Sequence, residues 1–236
     1  MRNTVTIDGV SSDEVGLFFD KIPYIPSAKR RVNTYQIPGA GEDLTIYSGD
    51  YDDIPMVLNA YIRPEADIQS VYNWIHSGSK IKLSTQPTIY GIIKSVGEIA
   101  PSRTGWDAHN IDIPLTLSPF RYLLTGDEEI ILSANPAYVS NAGNIHSLPL
   151  YKMTGCSGDV SITVNGVQLS ITDAPSDVYI DMVSETVYTF VDGSKESILS
   201  STDGAFWNLA LNPGVNEIAW IGTVNSVSVS IRTRWA

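Results

Sequence analysis

Asp50, Asp52 and Asp53 form a dense acidic cluster. Carboxylates so close together suggest two kinds of chemistry. Staggered oxygens can converge on a calcium ion, and two acids at a fixed separation can cleave a glycoside. The EF-hand order, with its central Gly and terminal Glu, does not occur here. Neighbouring acids on one loop also make a poor glycosidase pair, so a solvated acidic loop is the expected role. His76, His109 and His146 have neither i, i+4 nor H-x-E spacing, and each reads as a surface or structural histidine. Gly155-Cys156-Ser157-Gly158 is one residue short of G-x-S-x-G and precedes a strand, so it reads as a turn between two strands. Cys156 is the only cysteine, which leaves no partner for an internal disulfide, and it is expected to behave as a small buried hydrophobe. No P-loop, G-x-G-x-x-G or H-E-x-x-H is present. The remaining candidate is aromatic. Phe206-Trp207 follows Asp203-Gly204 in an expected loop, where a ring face could stack on a sugar or meet a partner. No catalytic residue, cofactor or metal site is expected.

The 236 residues are 43% hydrophobic and 17% charged, a globular composition with material for one large core or two smaller ones. No stretch approaches the ~20 apolar residues of a membrane helix, and MRNTVTIDGV has no apolar run of a signal peptide. The net charge is −11, with 11 basic and 17 acidic residues through Glu129 and 4 and 9 after it. That sign disfavours sequence-specific DNA binding. Lys29-Arg30-Arg31 is the one basic cluster and reads as a solvated or subunit-contact patch.

Gly and Pro at short intervals favour short strands over long helices. Strands are expected at Val5–Ile7, which turns at Asp8-Gly9, and at Leu44–Tyr47, Met56–Ile62, Ile81–Ser84, Tyr90–Ile93 and Asn110–Leu117. Pro114 inside the last suggests an edge or a bulge. One helix stands out. Pro64-Glu65-Ala66-Asp67 reads as its first turn, Ile68, Val71, Tyr72 and Ile75 as its apolar stripe, and Gly78 as its end. Trp74 falls beside the stripe and is expected to pack.

A polar break at Thr125-Gly126-Asp127-Glu128-Glu129 places a boundary between residues 1–127 and 128–236. Beyond it no helical period appears. Val160–Val164 alternates, Asn165-Gly166 signals a two-residue hairpin turn, and Val167–Ile171 returns. Val178–Asp181 is expected to pair with Thr186–Phe190. Asn212-Pro213-Gly214 turns into Asn216–Ile221, and Val227, Val229 and Ile231 share a face. Such regular short strands argue a β-sandwich. Asn141-Ala142-Gly143-Asn144 is the bend by which the chain enters it, with Pro149 near a strand edge.

In their order along the chain, these residues resemble the distal tail proteins (Dit) of long-tailed siphophages. The first half carries Tyr24-Ile25-Pro26, Ile37-Pro38-Gly39 through Leu44, Tyr51-Asp52-Asp53-Ile54-Pro55, Lys80–Ser84 and Leu117-Ser118-Pro119-Phe120-Arg121-Tyr122. The second carries Asn141–Pro149, Gly158–Gly166, Tyr179-Ile180-Asp181 and Leu211–Asn216. The resemblance implies a mainly β protein, an N-terminal tail-tube-like β domain with one helix plus a C-terminal galectin-like β-sandwich. It implies a hexameric ring at the virion tail tip, assembled in the host cytoplasm. The tail tube protein would lie above, the tail-associated tip protein below, and receptor-binding or baseplate proteins around it. Longer members carry inserted arms or sugar-binding modules, for which this chain has no room, and the typical galectin sugar-site residues are not recognisable. DNA would only pass through the lumen, where excess carboxylates would keep phosphates from sticking. The rival reading is a carbohydrate-binding sandwich that uses Phe206-Trp207.

Overall fold

Alternation in the strand Ile54–Ile62 sets the N-terminal sheet. Ile54, Met56, Leu58, Ala60 and Ile62 are buried, while Pro55, Val57 and Asn59 face outward, the two-residue period of a half-buried strand. Its antiparallel neighbour Ala108–Leu123 runs in register from His109↔Ile62 to Leu117↔Ile54 and adds Ile111, Ile113, Leu115 and Leu117 to the same core. The computed structural model describes residues 3–39, 41–63, 65–104 and 108–236. The sheet runs in the order Val10–Ser11, Val5–Ile7, Lys80–Leu83, Ile89–Val96, Ala108–Leu123, Ile54–Ile62, Leu17–Phe18. Pro114 therefore lies in a strand with neighbours on both sides, not at an edge. It pairs with Val57 on one side, and on the other Gly97, just past the end of Ile89–Val96, donates its N–H to the Pro114 carbonyl at 2.8 Å. A side chain at Gly97 would meet the Pro114 ring, so this glycine gives the proline its place.

The helix spans Ile68–Ser77. Asp67 is its N-cap and not part of its first turn, because the carboxylate accepts from the N–H groups of Gln69 (3.3 Å) and Ser70 (3.0 Å). Pro64 lies outside the described residues. Val71 and Ile75 are buried as the spacing predicts, and Trp74 joins them, its indole N–H donating to the Val10 carbonyl at 3.1 Å. Gly78 ends the helix with an extended φ of −112°. It is held to glycine by packing, since a Cβ there would run into Ile7. Asp8 turns the chain at φ 44° and accepts from the N–H groups of Ser79 and Lys80, at 2.9 and 2.8 Å, as the helix ends.

The chain divides into two compact units, residues 1–122 with 236 and residues 123–235. Residues 123–127 fall in the second unit because its backbone holds them. Leu123 donates to the Thr233 carbonyl at 3.0 Å, and Arg232 donates to that of Gly126 at 2.8 Å.

The second unit is a β-sandwich. One sheet orders Ile130–Ile131, Ser226–Ser230, Leu150–Thr154, Asp177–Asp181, Thr186–Val191 and Ser194–Ser197. The other orders Ala137–Asn141, Gly214–Thr223, Ser157–Val164, Val167–Ile171 and Thr202–Gly204. Tyr151, Met153, Ile180 and Val229 of the first share one core with Val139, Ile162, Leu169 and Ile218 of the second. Asn165 (φ 49°) and Gly166 (φ 83°) form the two-residue turn, with Val164 opposite Val167. Val178–Asp181 and Thr186–Phe190 form the second hairpin, with Asp181 opposite Thr186. Two short 3-10 turns, Leu199–Ser201 and Phe206–Asn208, interrupt the strands.

The stretch Asn141 to Pro149 is structural. The buried Asn141 side chain donates to the carbonyls of Ile145 and Leu211, both at 3.1 Å, and accepts from the Gly143 N–H at 3.0 Å. Its amide thus replaces the backbone partners that a bend removes.

Arg232 closes the same unit. Its guanidinium reaches Asp181 at 2.6 Å and Asp127 at 3.1 Å. Burial raises the Asp181 pKa, but the hydrogen bond and charge of Arg232, with the Val183 N–H and Ser184, outweigh it and hold the carboxyl below its usual value. A depressed folded value stabilises the fold above the unfolded carboxylate pKa of ~3.9, and that stability disappears as the pH falls through the folded value. Arg232→Met should therefore cost about 1–2 kcal/mol at neutral pH. The gap between variant and parent should close as the pH is lowered. Thermal unfolding of both across pH checks it, and a gap that persists in acid would contradict it.

Candidate functional site: an exposed hairpin arm

The sequence between the basic cluster and the acidic one folds into a hairpin of its own. Strands Arg30–Tyr35 and Leu44–Tyr51 pair only with each other among the described residues, with Val32 opposite Tyr47, Asn33 opposite Ile46 and Tyr35 opposite Leu44. Gly39, at φ 85°, takes part in the turn that joins them. Every described residue of both strands is exposed except Tyr51, which is half-buried. The apolar side chains lie on both faces, with Val32 and Tyr47 on one and Tyr35, Leu44 and Ile46 on the other. Tyr47 is 65% exposed and Tyr35 54%.

The arm is fastened at its root. Asp52 donates its N–H to the Lys29 carbonyl at 2.9 Å. Its carboxylate accepts from Arg31 Nε at 3.0 Å, and Ser48 Oγ donates to the Arg31 carbonyl at 3.2 Å. The Tyr51 ring meets Phe120 edge-on at 5.7 Å. Beyond that root, nothing described packs against the strands. A two-stranded hairpin with no third strand or helix on it is at best marginal in water, and rows of open N–H and C=O groups with bare apolar faces are a template for association.

The structure separates the three acids that the sequence groups. Asp52 is held by Arg31, and Asp53 by Lys94 at 2.6 Å. Asp50 lines a shallow hollow of about 120 Å³ with Arg30, Arg31, Tyr47, Gly49 and Tyr51. The loop is thus laced with ion pairs instead of being merely solvated. Among the described residues no three His, Cys, Asp or Glu are placed to hold a metal ion. The Cys156 thiol is buried, and burial, then the Asp177 charge, raise its pKa, the reverse of nucleophile activation.

The aromatic pair is also split. Phe206 is buried in the sandwich core, so it offers no contact surface, while Trp207 is 73% exposed. A 3-10 turn rotates successive side chains by about a third of a circle, so only one of two neighbours faces inward. Trp207→Ala should leave stability within about 0.5 kcal/mol of the parent in urea unfolding.

The sequence reading finds the second strand of the arm at Leu44–Tyr47 and misses the first. Arg30-Arg31 reads as a charge cluster and hides the strand. The available signal was Ile37-Pro38-Gly39, turn formers between two stretches rich in Tyr, Thr and Val or Ile.

Two β units in this order, with one helix among the described residues, give a fold similar to that of a phage distal tail protein. The SPP1 Dit protein (gp 19.1), described as a paradigm of the hub adsorption apparatus in phages infecting Gram-positive bacteria, matches over 100% of both chains. The TM-score is 0.75 and the sequence identity 12%, a likeness of fold. No family profile and no curated protein sequence matches this chain.

Proposed function

We propose that this chain is the hub of a siphophage tail tip. Six copies close into a ring at the end of the tail tube, with the tail-associated tip protein below. Receptor-binding or baseplate proteins attach around it, and the galectin-like unit hangs outside. The observation that carries this reading is the full-length correspondence in fold with the SPP1 hub protein. The exposed arm supports it, since an obligate ring has to bury apolar surface of this kind on each neighbour. The acidic balance, −11 in all, suits a lumen through which DNA moves without binding. The work is mechanical, and no bond is made or broken.

Light scattering of the purified chain tests the reading. A mass six times the 25.7 kDa subunit is expected. A chain that stays single at high concentration, and still does so with tail neighbours supplied, would overturn it.

A further inference from the structure

We infer that the acidic tip of one copy's hairpin arm docks at the basic root of the arm on a second copy of this chain. The inference rests on the ring reading and gives it a contact. Opposite charges sit at the two ends of the arm. Lys29, Arg30 and Arg31 are at the root, and Glu42 and Asp43 are at the tip, next to the first residue of Leu44–Tyr51. All five are exposed. Arg30 and Arg31 open the strand Arg30–Tyr35, and Leu44, beside the tip, lies opposite Tyr35. Four to five steps of ~3.3 Å, roughly 15 Å, therefore part root and tip, about two screening lengths of ~8 Å in physiological salt. The tip neutralises its own root only weakly.

The root is only partly neutralised by its own neighbours. Asp52 occupies Arg31. Among the described residues neither Arg30 nor the Lys29 ammonium has an ion-pair partner. Arg30 and Arg31 line the hollow with the rings of Tyr47 and Tyr51, a polar and apolar wall suited to a carboxylate on a short loop. The acidic balance of the whole chain disfavours a nucleic acid backbone as the occupant. Root and tip are different surfaces. Their contact is head-to-tail, the only kind that builds a ring of more than two subunits around a single axis.

Sedimentation velocity over a range of concentrations tests this with two variants, Arg30→Glu and the double change Glu42→Arg/Asp43→Arg. Each places like charges at every contact, and each should need at least about tenfold more protein for half-assembly. Arg30→Gln should show a smaller loss. At a concentration where the parent is also unassembled, the unfolding temperature should match the parent value, because these side chains are exposed. Mixing the two variants puts a reversed root against a reversed tip, and a native root against a native tip, around an even-numbered ring. The mixture, and a chain carrying both changes, should return to parental assembly. If the parent assembles and Arg30→Glu does so equally well, or if the mixture stays apart, the docking is wrong while the ring stands. If the parent never assembles, even with tail neighbours supplied, both fall.

Discussion

Asn216→Ala is expected to destabilise the second unit by about 3 kcal/mol. Asn216 is fully buried on Gly214–Thr223. Its Oδ1 accepts from the Asn165 side chain and from the Asn212 N–H, both at 2.8 Å. Its Nδ2 donates to the carbonyls of Asn212 (2.8 Å) and Gly214 (2.9 Å). Asn165 in turn accepts from the Glu217 N–H at 3.0 Å, so two turns are tied to one side chain. Alanine removes every one of those partners and puts no water in their place. Each orphaned buried group costs about 1–3 kcal/mol, of which loop relaxation recovers a part. For a unit of this size the melting temperature should fall by roughly 10–15 °C. Urea unfolding followed by tryptophan fluorescence measures it, and a loss under about 1 kcal/mol would mean that the network is not holding the turns.

Gly143→Val should cost as much or more, for a steric reason. The Cβ of any residue at 143 would fall on the backbone carbonyl oxygen of Arg234 and lie 3.0 Å from Asn141 Oδ1. Neither can yield cheaply, because the Asn141 side chain is fixed by three hydrogen bonds. The cost of such overpacking is about 3 kcal/mol. Gly158→Ala is the comparison. That glycine has φ 69° but open space around it, so its alanine pays only backbone strain of about 1 kcal/mol. Equal melting temperatures for the two variants would show that the space at Gly143 is not limiting.

Part of this architecture could be read from the chain alone. Asn165-Gly166 announced its turn because the left-handed backbone of a two-residue hairpin admits few other pairs. The helix stripe was visible because Val71 and Ile75 keep the period. The acidic loop was visible as composition, but which acid meets which base depends on partners as distant as Lys94, 41 residues from Asp53. Pro114 misled for a similar reason. A missing N–H argues for an edge, yet the Pro114 carbonyl still accepts from Gly97, just past the end of Ile89–Val96, so the proline stands inside the sheet. The arm was hidden because exposed strands lack the buried alternate positions from which strands are usually recognised, as Arg30–Tyr35 shows.

The bare arm has a last consequence, for the fate of subunits that find no place. Extended backbone standing clear of a fold is what proteases accept most readily, and here it carries two arginines in succession, Arg30 and Arg31. A solitary copy offers its cutting site in the same segment that association would cover. Under the proposed ring, surplus copies would be open to cutting at the arm while incorporated ones would be shielded.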